Sequence, residues 1–313
     1  MRYPARFVAV ALGAALALAG CGDGGSTENG GTPPNTNVSA TPDFPVTIGD
    51  LTVAAKPTKI VALSPTATEV LFAVGAGPQV VAVDDQSNFP ADAPKSDLSA
   101  FQPNAEAIAE QNPDLVVLSN DMNNVVAQLT QLKIPVYVAP AGKTFEDTYK
   151  QVTDIGALTG NRPAAEDLAK RMREEVDKLV KSVPPRAEKL TYYYELGPEL
   201  YSLTSKTFVG SLFAQLGLEN VADAADADGS KGGYPQLSAE SLVKADPDLI
   251  FLADTVCCQQ NADTVKARPG WSGITAVKTG QIVGLNDDIA SRWGPRTVDL
   301  LRQIVDAVAK VPA

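Results

Sequence analysis

The stretch NAEAIAEQNPDLVV at residues 104–117 reappears in altered form as SAESLVKADPDLIF at residues 238–251. In each copy a glutamate, Glu106 or Glu240, stands seven residues before a Pro-Asp pair, and an apolar run follows. Helical spacing, then a proline, then a short apolar run predicts a short helix, a turn and a buried strand. Two copies this far apart indicate two similar lobes, each with its glutamate near the exposed N-terminal end of a helix.

The composition is that of a globular protein that does not bind nucleic acid. The 313 residues suffice for one large or two medium domains, and a mean hydropathy of -0.04 excludes a polytopic membrane protein. A net charge of -11 is opposite in sign to the basic surface that neutralises phosphates. The chain has no histidine, which removes Ser-His-Asp and Cys-His catalysis and disfavours a zinc or His-ligated haem site. We therefore predict no resident cofactor and no metal site.

Residues 1–20 have the pattern of an export signal. Two arginines precede an apolar run at residues 7–19, which is too short to span a bilayer and ends in small residues. The sequence LAGC at residues 18–21 resembles the lipobox of bacterial lipoproteins, which implies that Cys21 becomes the lipid-bearing first residue. We expect an exported chain that is held at the outer face of the cytoplasmic membrane by a lipid on Cys21.

The segment after Cys21 is rich in Gly, Ser, Thr, Asn and Pro, a composition that cannot build a core. As a random coil of about 22 residues it would reach roughly 25 Å root-mean-square, so we predict a flexible tether. The predicted divisions are a signal peptide at 1–20, a tether at 21–44, an N-terminal αβ lobe at 45–160, an inter-lobe helix at 161–186 and a C-terminal αβ lobe at 187–313.

Short apolar runs alternate with helical patterns through both predicted lobes. Residues 60–63 predict a strand, after which Ser64-Pro65 supplies an N-cap and a first helical residue. Strands that alternate with helices predict parallel sheets, which bind ligands beyond the carboxyl ends of their strands. The predicted strands are 60–63, 80–83, 115–118, 135–138, 190–195, 249–252 and 281–285. The predicted helices outside the repeated phrases are 66–75, 123–132, 145–158, 208–216 and one that closes the chain near residue 309.

Residues 161–183 predict an amphipathic helix that is longer than is usual in globular proteins. Apolar residues recur at Met172, Val176 and Leu179 with charged residues between them, and Pro184-Pro185 ends the helix. A surface helix on one lobe is the alternative. Its position between two αβ units indicates instead a rigid link between the lobes.

Four features in order resemble the solute-binding components of ABC importers. They are IVALSPTATEVLFAVG at residues 60–75, the two glutamate phrases, the long helix, and RWGPR at residues 292–296. The resemblance runs from about Lys56 to the C-terminus, and it is to the group that carries ferric siderophores, haem and vitamin B12. It implies an α/β fold of two αβ lobes with mainly parallel central sheets, joined by one long rigid helix, with the ligand cleft between the lobes.

The resemblance also implies partners. A monomeric binding protein of this kind delivers a small-molecule metal chelate to the transmembrane subunits of an ABC permease and their ATPase. Glu106 and Glu240 would each dock to arginines of the permease. Two carboxylates on separate rigid lobes would give electrostatic steering and a two-point register. For each residue the alternative is a glutamate that is favoured at a helix start by the helix dipole.

Likeness to the vitamin B12-binding members of the group implies the cleft residues. Asp288 and Arg292 fall on positions that contact the ligand in those proteins. Phe101, Tyr201 and Tyr234 resemble aromatic positions that line their corrin pocket, although each could be an ordinary loop or core aromatic. Aromatic faces with a few polar groups suit a large flat chelate. The predicted ligand-binding residues are Gln86, Phe101, Ser119, Tyr201, Tyr234, Asp288 and Arg292.

The class of cargo stays open between two chelates. Gln86 and Ser119 stand where the vitamin B12-binding proteins have aromatic residues, so the stacking surface is thinner here. One or two arginines near the cleft could pair with an anionic ferric siderophore. We therefore favour a ferric siderophore slightly over a corrinoid such as cobalamin. Haem ranks third because a histidine ligand is excluded, although a tyrosine could serve.

Adjacent cysteines, Cys257 and Cys258, depart from the pattern of the vitamin B12-binding proteins. An exposed thiol pair in an exported protein should oxidise, yet a disulfide between neighbours closes a strained ring. We predict a vicinal disulfide that stiffens the rim of the cleft, and two partly buried thiols are the alternative.

Two further function classes are open. Asp287 and Asp288 could be the acid and base of a secreted glycoside hydrolase, but neighbouring residues usually point apart and no second carboxylate stands at a defined spacing. We therefore do not predict an enzyme. A ligand sensor that signals to a membrane partner without transport would have the same sequence features as an importer component.

Overall fold

The structure, a computed structural model, describes residues 43–312. The predicted signal peptide, the predicted lipidation site Cys21 and all but the end of the predicted tether lie outside the described residues. Within residues 43–312, no helix combines the length and the apolar content that a bilayer crossing requires.

A four-stranded parallel sheet forms the centre of the first lobe. A short antiparallel hairpin that the sequence did not predict precedes it, formed by β1 (Val46–Ile48) and β2 (Leu51–Val53). The strands of the sheet are β3 (Ile60–Leu63), β4 (Val80–Val83), β5 (Leu115–Leu118) and β6 (Val136–Val138). Their order is β4-β3-β5-β6, and every neighbouring pair is parallel. The helices of this lobe are α1 (Pro65–Ala73), α2 (Ala105–Ala109), α3 (Val125–Gln131) and α4 (Phe145–Leu158).

A second four-stranded parallel sheet follows the long helix α5 (Arg162–Ser182). Its strands are β7 (Thr191–Glu195), β8 (Glu219–Asn220), β9 (Leu249–Leu252) and β10 (Ile282–Gly284). Their order is β10-β9-β7-β8, again with parallel neighbours. The remaining helices are α6 (Phe208–Gln215), α7 (Ala239–Ala245), α8 (Ala262–Lys266), α9 (Thr275–Thr279), α10 (Asp287–Ser291) and α11 (Thr297–Val308). Two parallel sheets joined by one long helix confirm the predicted fold class.

The aspartate of each Pro-Asp pair ties two neighbouring strands together. Asp114 accepts hydrogen bonds from the N–H (2.8 Å) and hydroxyl (2.9 Å) of Thr58 and from the N–H of Lys59 (3.0 Å), just before β3. Asp248 accepts from the N–H (2.8 Å) and hydroxyl (3.0 Å) of Thr191 at the start of β7. The repeat in the sequence therefore corresponds to the same strand-to-strand link in each lobe.

The buried face of α5 joins the cores of the two sheets. Met172 and Val176 belong to one hydrophobic cluster that also contains Ile60 of β3 and Tyr192 of β7. Residues from both sheets thus share a continuous apolar interior, and the buried face of α5 forms part of it. This packing agrees with the rigid link that the sequence predicts.

Helix α4 runs beside α5 and touches both lobes. A Cβ on Gly156 would lie 2.1 Å from the Cβ of Ala165, so this approach of the two helices requires a glycine. At the start of α4, Phe145 packs edge-on against Phe208 of α6, with ring centroids 5.9 Å apart. The lobes are therefore connected through α4 as well as through α5.

The helix predicted at 123–132 was wrong at its first turn. Asn123 and Asn124 adopt left-handed backbone angles, with φ of 58° and 53°, and regular helix begins at Val125. Asparagine tolerates this conformation better than most residues, and a right-handed helix cannot include it. This irregular turn could not be predicted, because the polar residues of the segment fit the helical period.

Candidate functional site

The loops at the carboxyl ends of the strands carry most of the exposed large apolar side chains. Ten such side chains are exposed among the described residues, and six of them lie in loops that follow β4, β5, β7, β8 or β9. Parallel sheets bind ligands at this edge, and groups of exposed apolar side chains mark contact surfaces. The six are Phe89, Phe101, Met122, Tyr201, Tyr234 and Val256, which are between 43% and 68% exposed.

The loops of Tyr201 and Tyr234 are held against each other. Tyr201 forms an isolated antiparallel bridge with Gln236, and the N–H of Ser202 donates to the carbonyl oxygen of Pro235 at 2.9 Å. Both tyrosines are about half exposed. The backbones that carry the two predicted aromatic ligand residues of the second lobe are therefore adjacent.

The buried carboxylate of Glu69, in α1, binds two arginines from the far end of the chain. Arg292 Nη1 donates to Glu69 Oε1 at 2.8 Å across 223 residues of sequence. Arg296 donates from Nε to Oε2 at 2.9 Å and from Nη2 to Oε1 at 2.5 Å. The side chain of Glu69 is 2% exposed and that of Arg292 is 8% exposed, so these ion pairs are shielded from water. Charge-assisted pairs of this kind hold their partners in a defined geometry.

Arg292 also contacts two other residues that the sequence assigned to the ligand. Its Nη2 donates to Asp288 Oδ1 at 2.7 Å and to the carbonyl oxygen of Gln86 at 3.3 Å. Asp288 Oδ2 in turn accepts from Asn88 Nδ2 at 2.8 Å. Three of the predicted ligand residues thus form one network that links the loop after β4 to α10. In this network Arg292 is already paired with carboxylates.

Phe89 joins this network, whereas Phe101 and Ser119, like the two tyrosines, stand apart from it. The guanidinium carbon of Arg296 lies 4.2 Å from the centroid of the Phe89 ring, within cation–π range. Phe101 is exposed, and Ser119 is half-buried in the loop after β5. Among the described residues, neither shares a hydrogen bond with the network.

A second buried acidic group lies where β7 and β9 end. Glu195 accepts two hydrogen bonds of 2.6 Å from Arg268, whose guanidinium carbon is 4.6 Å from the ring centroid of Trp271. Asp254 is fully buried beside this pair, and neither of its carboxylate oxygens accepts a hydrogen bond from any residue between 43 and 312. Burial, and then the charge of Glu195, raise the pKa of Asp254 to about 7.

The sequence indicated the buried carboxylates of these groups but not the arginines that pair with them. Glu69 interrupts the apolar pattern of the helix predicted at 66–75, and Glu195 ends the strand TYYYE. A carboxylate within an apolar run is rarely buried without a cation, so a cationic partner is expected for each of these glutamates. The partners lie 223 and 227 residues away for Glu69 and 73 residues away for Glu195. No local pattern identifies partners at such distances.

Glu106 and Glu240 are both exposed in the first turns of equivalent helices, α2 and α7. Asn104 caps α2 by accepting from the N–H of Glu106 at 2.9 Å, and Ser238 caps α7 by accepting from the N–H of Ser241 at 3.1 Å. The caps satisfy the ends of the helices without using either glutamate side chain. Each lobe therefore presents one carboxylate to solvent at a matching place.

Cys257 and Cys258 lie in the loop after β9, and both are free thiols in the structure. Cys257 is exposed, and Cys258 is partly buried. The formation of a vicinal disulfide between them by oxidation stays a prediction.

Asp287, which was considered as a glycosidase acid or base, anchors the same loop. Its carboxylate accepts from the hydroxyl of Thr255 (3.0 Å) and from the N–H groups of Val256 (3.0 Å) and Cys257 (2.8 Å). Burial alone would raise its pKa, but these hydrogen bonds hold the pKa of Asp287 below its usual value. A carboxyl that is kept ionised by three donors is poorly suited to act as a general acid.

Two parallel-sheet lobes, a shared core and exposed aromatic side chains at the carboxyl edges define a two-lobed solute-binding protein. The chain belongs to the periplasmic binding protein family, which matches it over residues 60–289. It is accordingly a substrate-binding protein of the kind that serves ABC transporters, and the family is one of transport components rather than enzymes.

Three known proteins illustrate the relationship. An uncharacterised ABC transporter substrate-binding lipoprotein of Bacillus subtilis is 29% identical and covers 98% of both chains. A cobalamin-binding protein of Halobacterium salinarum is 30% identical over 84% of this chain and 74% of its own. A crystal structure of a possible iron-binding periplasmic protein of Staphylococcus epidermidis matches with a TM-score of 0.70 and 27% identity, covering 82% of this chain and all of that one.

Removing the carboxylate of Glu69 should destabilise the fold strongly. In the Glu69→Ala variant, Arg292 and Arg296 keep their charges without the buried partner, so we expect a loss of about 3–5 kcal/mol in the free energy of unfolding. Urea unfolding measures this loss. Glu175→Ala, which breaks the exposed pair with Arg302, is the control and should cost less than about 1 kcal/mol. Equal losses in the two variants would contradict a special role for Glu69.

Asp254 should make the chain less stable as the pH rises from about 4 to about 7. Its folded-state pKa of about 7 lies above the ordinary 3.8, so the folded chain binds the proton more tightly and loses that advantage as the proton leaves. Asp254→Asn, which cannot ionise, should flatten this part of the profile in urea unfolding at about pH 5 and about pH 8. The exposed Asp263→Asn should leave the profile unchanged. Parallel profiles for wild type and Asp254→Asn would mean that Asp254 is ionised throughout.

Proposed function

We propose that this chain is the lipid-anchored substrate-binding component of an ABC importer, and that its cargo is a corrinoid. The observation that carries the cargo proposal is that the candidate site combines exposed aromatic side chains with arginines whose charges are already neutralised by carboxylates. The partners in this proposal are the transmembrane subunits of the permease and their ATPase, with the membrane reached through a lipid on Cys21.

Aromatic and apolar side chains supply the contact surface for such a cargo. Tyr201 and Tyr234 are exposed on adjoining loops of the second lobe, and Phe89 and Phe101 are exposed in the loop after β4. Ligand sites of this kind are mostly apolar, with a few polar groups that fix orientation. A corrin ring offers a broad face to aromatic side chains and amide groups to polar ones, which suits this surface.

The charges near the cleft favour an uncharged cargo over an anionic one. The sequence-based preference for a ferric siderophore assumed arginines that were free to bind an anion. Arg292 and Arg296 instead hold Glu69, and Arg292 also binds Asp288. Turning either arginine toward an anionic ligand would leave a buried carboxylate short of a partner, which costs several kcal/mol.

The similar proteins support a corrinoid first and a ferric chelate second. The Halobacterium salinarum protein that is named for cobalamin binding reaches 30% identity over most of this chain. The Staphylococcus epidermidis protein, which is described as possibly iron-binding, shares the fold at 27% identity. An uncharged ferric hydroxamate is therefore the second candidate.

Glu106 and Glu240 support the docking part of the proposal. Each is exposed at the start of a helix in its own lobe, and the side chains of neighbouring residues cap those helices. Two carboxylates on one rigid body can meet two cationic patches at once, which improves the rate of encounter and fixes the register.

A fluorescence titration should separate the classes of cargo. Cobalamin, an uncharged ferric hydroxamate, an anionic ferric catecholate and haem are each added while the Trp and Tyr emission of the chain is followed. We expect cobalamin to bind most tightly and Tyr234→Ala to weaken it about tenfold, as for an aromatic anchor at the centre of an interface. Leu132→Ala, an exposed apolar residue outside these loops, is the control. Tightest binding of the catecholate would overturn the corrinoid, and no binding by any probe would overturn the chelate proposal.

Reversing the charge of both docking residues should block uptake without affecting capture. In cells that express Glu106→Lys/Glu240→Lys, uptake of labelled cargo should fall to the level of cells that lack the chain, while the Kd of the purified variant stays at the wild-type value. The matched control is Glu166→Lys/Glu188→Lys, which makes the same charge change at two exposed positions. A raised Kd in the docking variant would place Glu106 or Glu240 at the cargo instead.

A further inference from the structure

The loop between β9 and α8 carries the thiols of Cys257 and Cys258, and hydrogen bonds hold its backbone at two places. Asp287 accepts hydrogen bonds from the N–H groups of Val256 (3.0 Å) and Cys257 (2.8 Å). On the other side, the N–H of Cys258 donates to the carbonyl oxygen of Asp254 at 3.2 Å. Each of the two cysteines is therefore held through its own backbone N–H, Cys257 by Asp287 and Cys258 by Asp254.

The two thiols belong to neighbouring residues, and the carboxylate of Asp287 holds the backbone of the loop that carries them. A hydrogen bond with Cys258, then burial and a hydrogen bond with Asp287, raise the pKa of the Cys257 thiol to about 12. Because Cys257 is exposed, a reagent in solution can reach the pair.

We propose that Cys257 and Cys258 are a reversible thiol-oxidation site on the rim of the cleft, and that closing the disulfide between them weakens cargo binding. The oxidation site stands on the loop geometry alone. The effect on cargo rests on the proposed function of the chain.

The chemistry needs a disulfide as oxidant, either a disulfide-bearing oxidoreductase or a small disulfide such as oxidised glutathione. The thiolate of one cysteine attacks a sulfur of that disulfide, forms a mixed disulfide and releases one thiol. The second cysteine then attacks the mixed disulfide, forms the Cys257–Cys258 bond and releases the second thiol. The pair gives up two electrons and two protons, and the oxidant takes up both.

Ring closure alters the backbone that Asp287 holds. The Cα atoms of neighbouring residues are about 3.8 Å apart across a trans peptide, which is shorter than the roughly 4.4 Å lower limit of ordinary disulfides. The ring is therefore strained and easily reduced again. Closing the ring turns the backbone at both cysteines, and this adjustment includes the N–H of Cys257 that binds Asp287.

Asp287 transmits this change to the contact between the lobes. It is the first residue of α10, and the next residue, Asp288, binds Asn88 at 2.8 Å and Arg292 at 2.7 Å. A weaker hold on α10 loosens these contacts beside the exposed apolar side chains. The oxidised chain should therefore show a less ordered α10 and a lower affinity for cargo.

The first experiment detects the oxidation itself. The full chain is treated with oxidised glutathione or with a thiol reductant, alkylated and mapped by peptide mass, which separates this pair from Cys21. We expect the peptide that contains both cysteines to lose two hydrogens and to retain no glutathione. Cys258→Ser, which cannot close the ring, should keep a glutathione adduct on Cys257. Asp287→Asn should speed the oxidation, because it removes the carboxylate that keeps the Cys257 thiol protonated.

The second experiment compares the oxidised and reduced chains. We expect faster backbone hydrogen exchange in residues 287–292 and an about tenfold higher Kd for cobalamin, the size of effect that one hydrogen bond to a charged group produces. Cys257→Ser/Cys258→Ser should not respond to the oxidant. Glutathione adducts without a ring, or a ring that changes neither exchange nor Kd, would overturn the proposal. If the reduced chain binds no cobalamin, the proposed cargo fails, and hydrogen exchange alone decides whether the disulfide acts on α10.

Discussion

The carboxylate of Glu69 is the constraint on which the arrangement of the two lobes depends. It lies in the first helix of the first lobe and binds Arg292 and Arg296 from the segment that leads into the last helix. An ionised group that is this deeply buried is tolerated only while its partners stay in place. The end of the chain therefore takes its position from the beginning, because the segment from Asp288 to Arg296 is held against α1 of the first lobe.

The strands and helices that residues close together in the sequence determine could be predicted. The strands Ile60–Leu63, Leu115–Leu118 and Leu249–Leu252, and the helix Phe145–Leu158, have the predicted bounds because apolar runs and caps set them within a few residues. The repeated Pro-Asp phrase was read correctly as a helix, a turn and a strand in each lobe. Its aspartates have a further role that the sequence did not reveal, since Thr58 and Thr191 become their partners only when neighbouring strands assemble.

The candidate site was less predictable, because its charge depends on which carboxylates pair with which arginines in the folded chain. The sequence placed Asp288 and Arg292 near the ligand, and the structure brings them together with Gln86. It could not show that Glu69 neutralises the arginines, and the proposal of an uncharged cargo is argued from this pairing. Likewise, Tyr201 and Tyr234 were chosen by likeness alone, whereas the backbone bridge at Tyr201 explains why their loops stay together.

The contact between α4 and α5 has a consequence for how such a carrier can release what it holds. Gly156 lets the two helices pack in close contact. A single apolar interior extends from Ile60 of the first sheet to Tyr192 of the second. Separating the two sheets would expose this shared core to water, at a free-energy cost that grows with the apolar area uncovered. Release of a bound molecule by parting the lobes would therefore require free energy supplied from outside the chain.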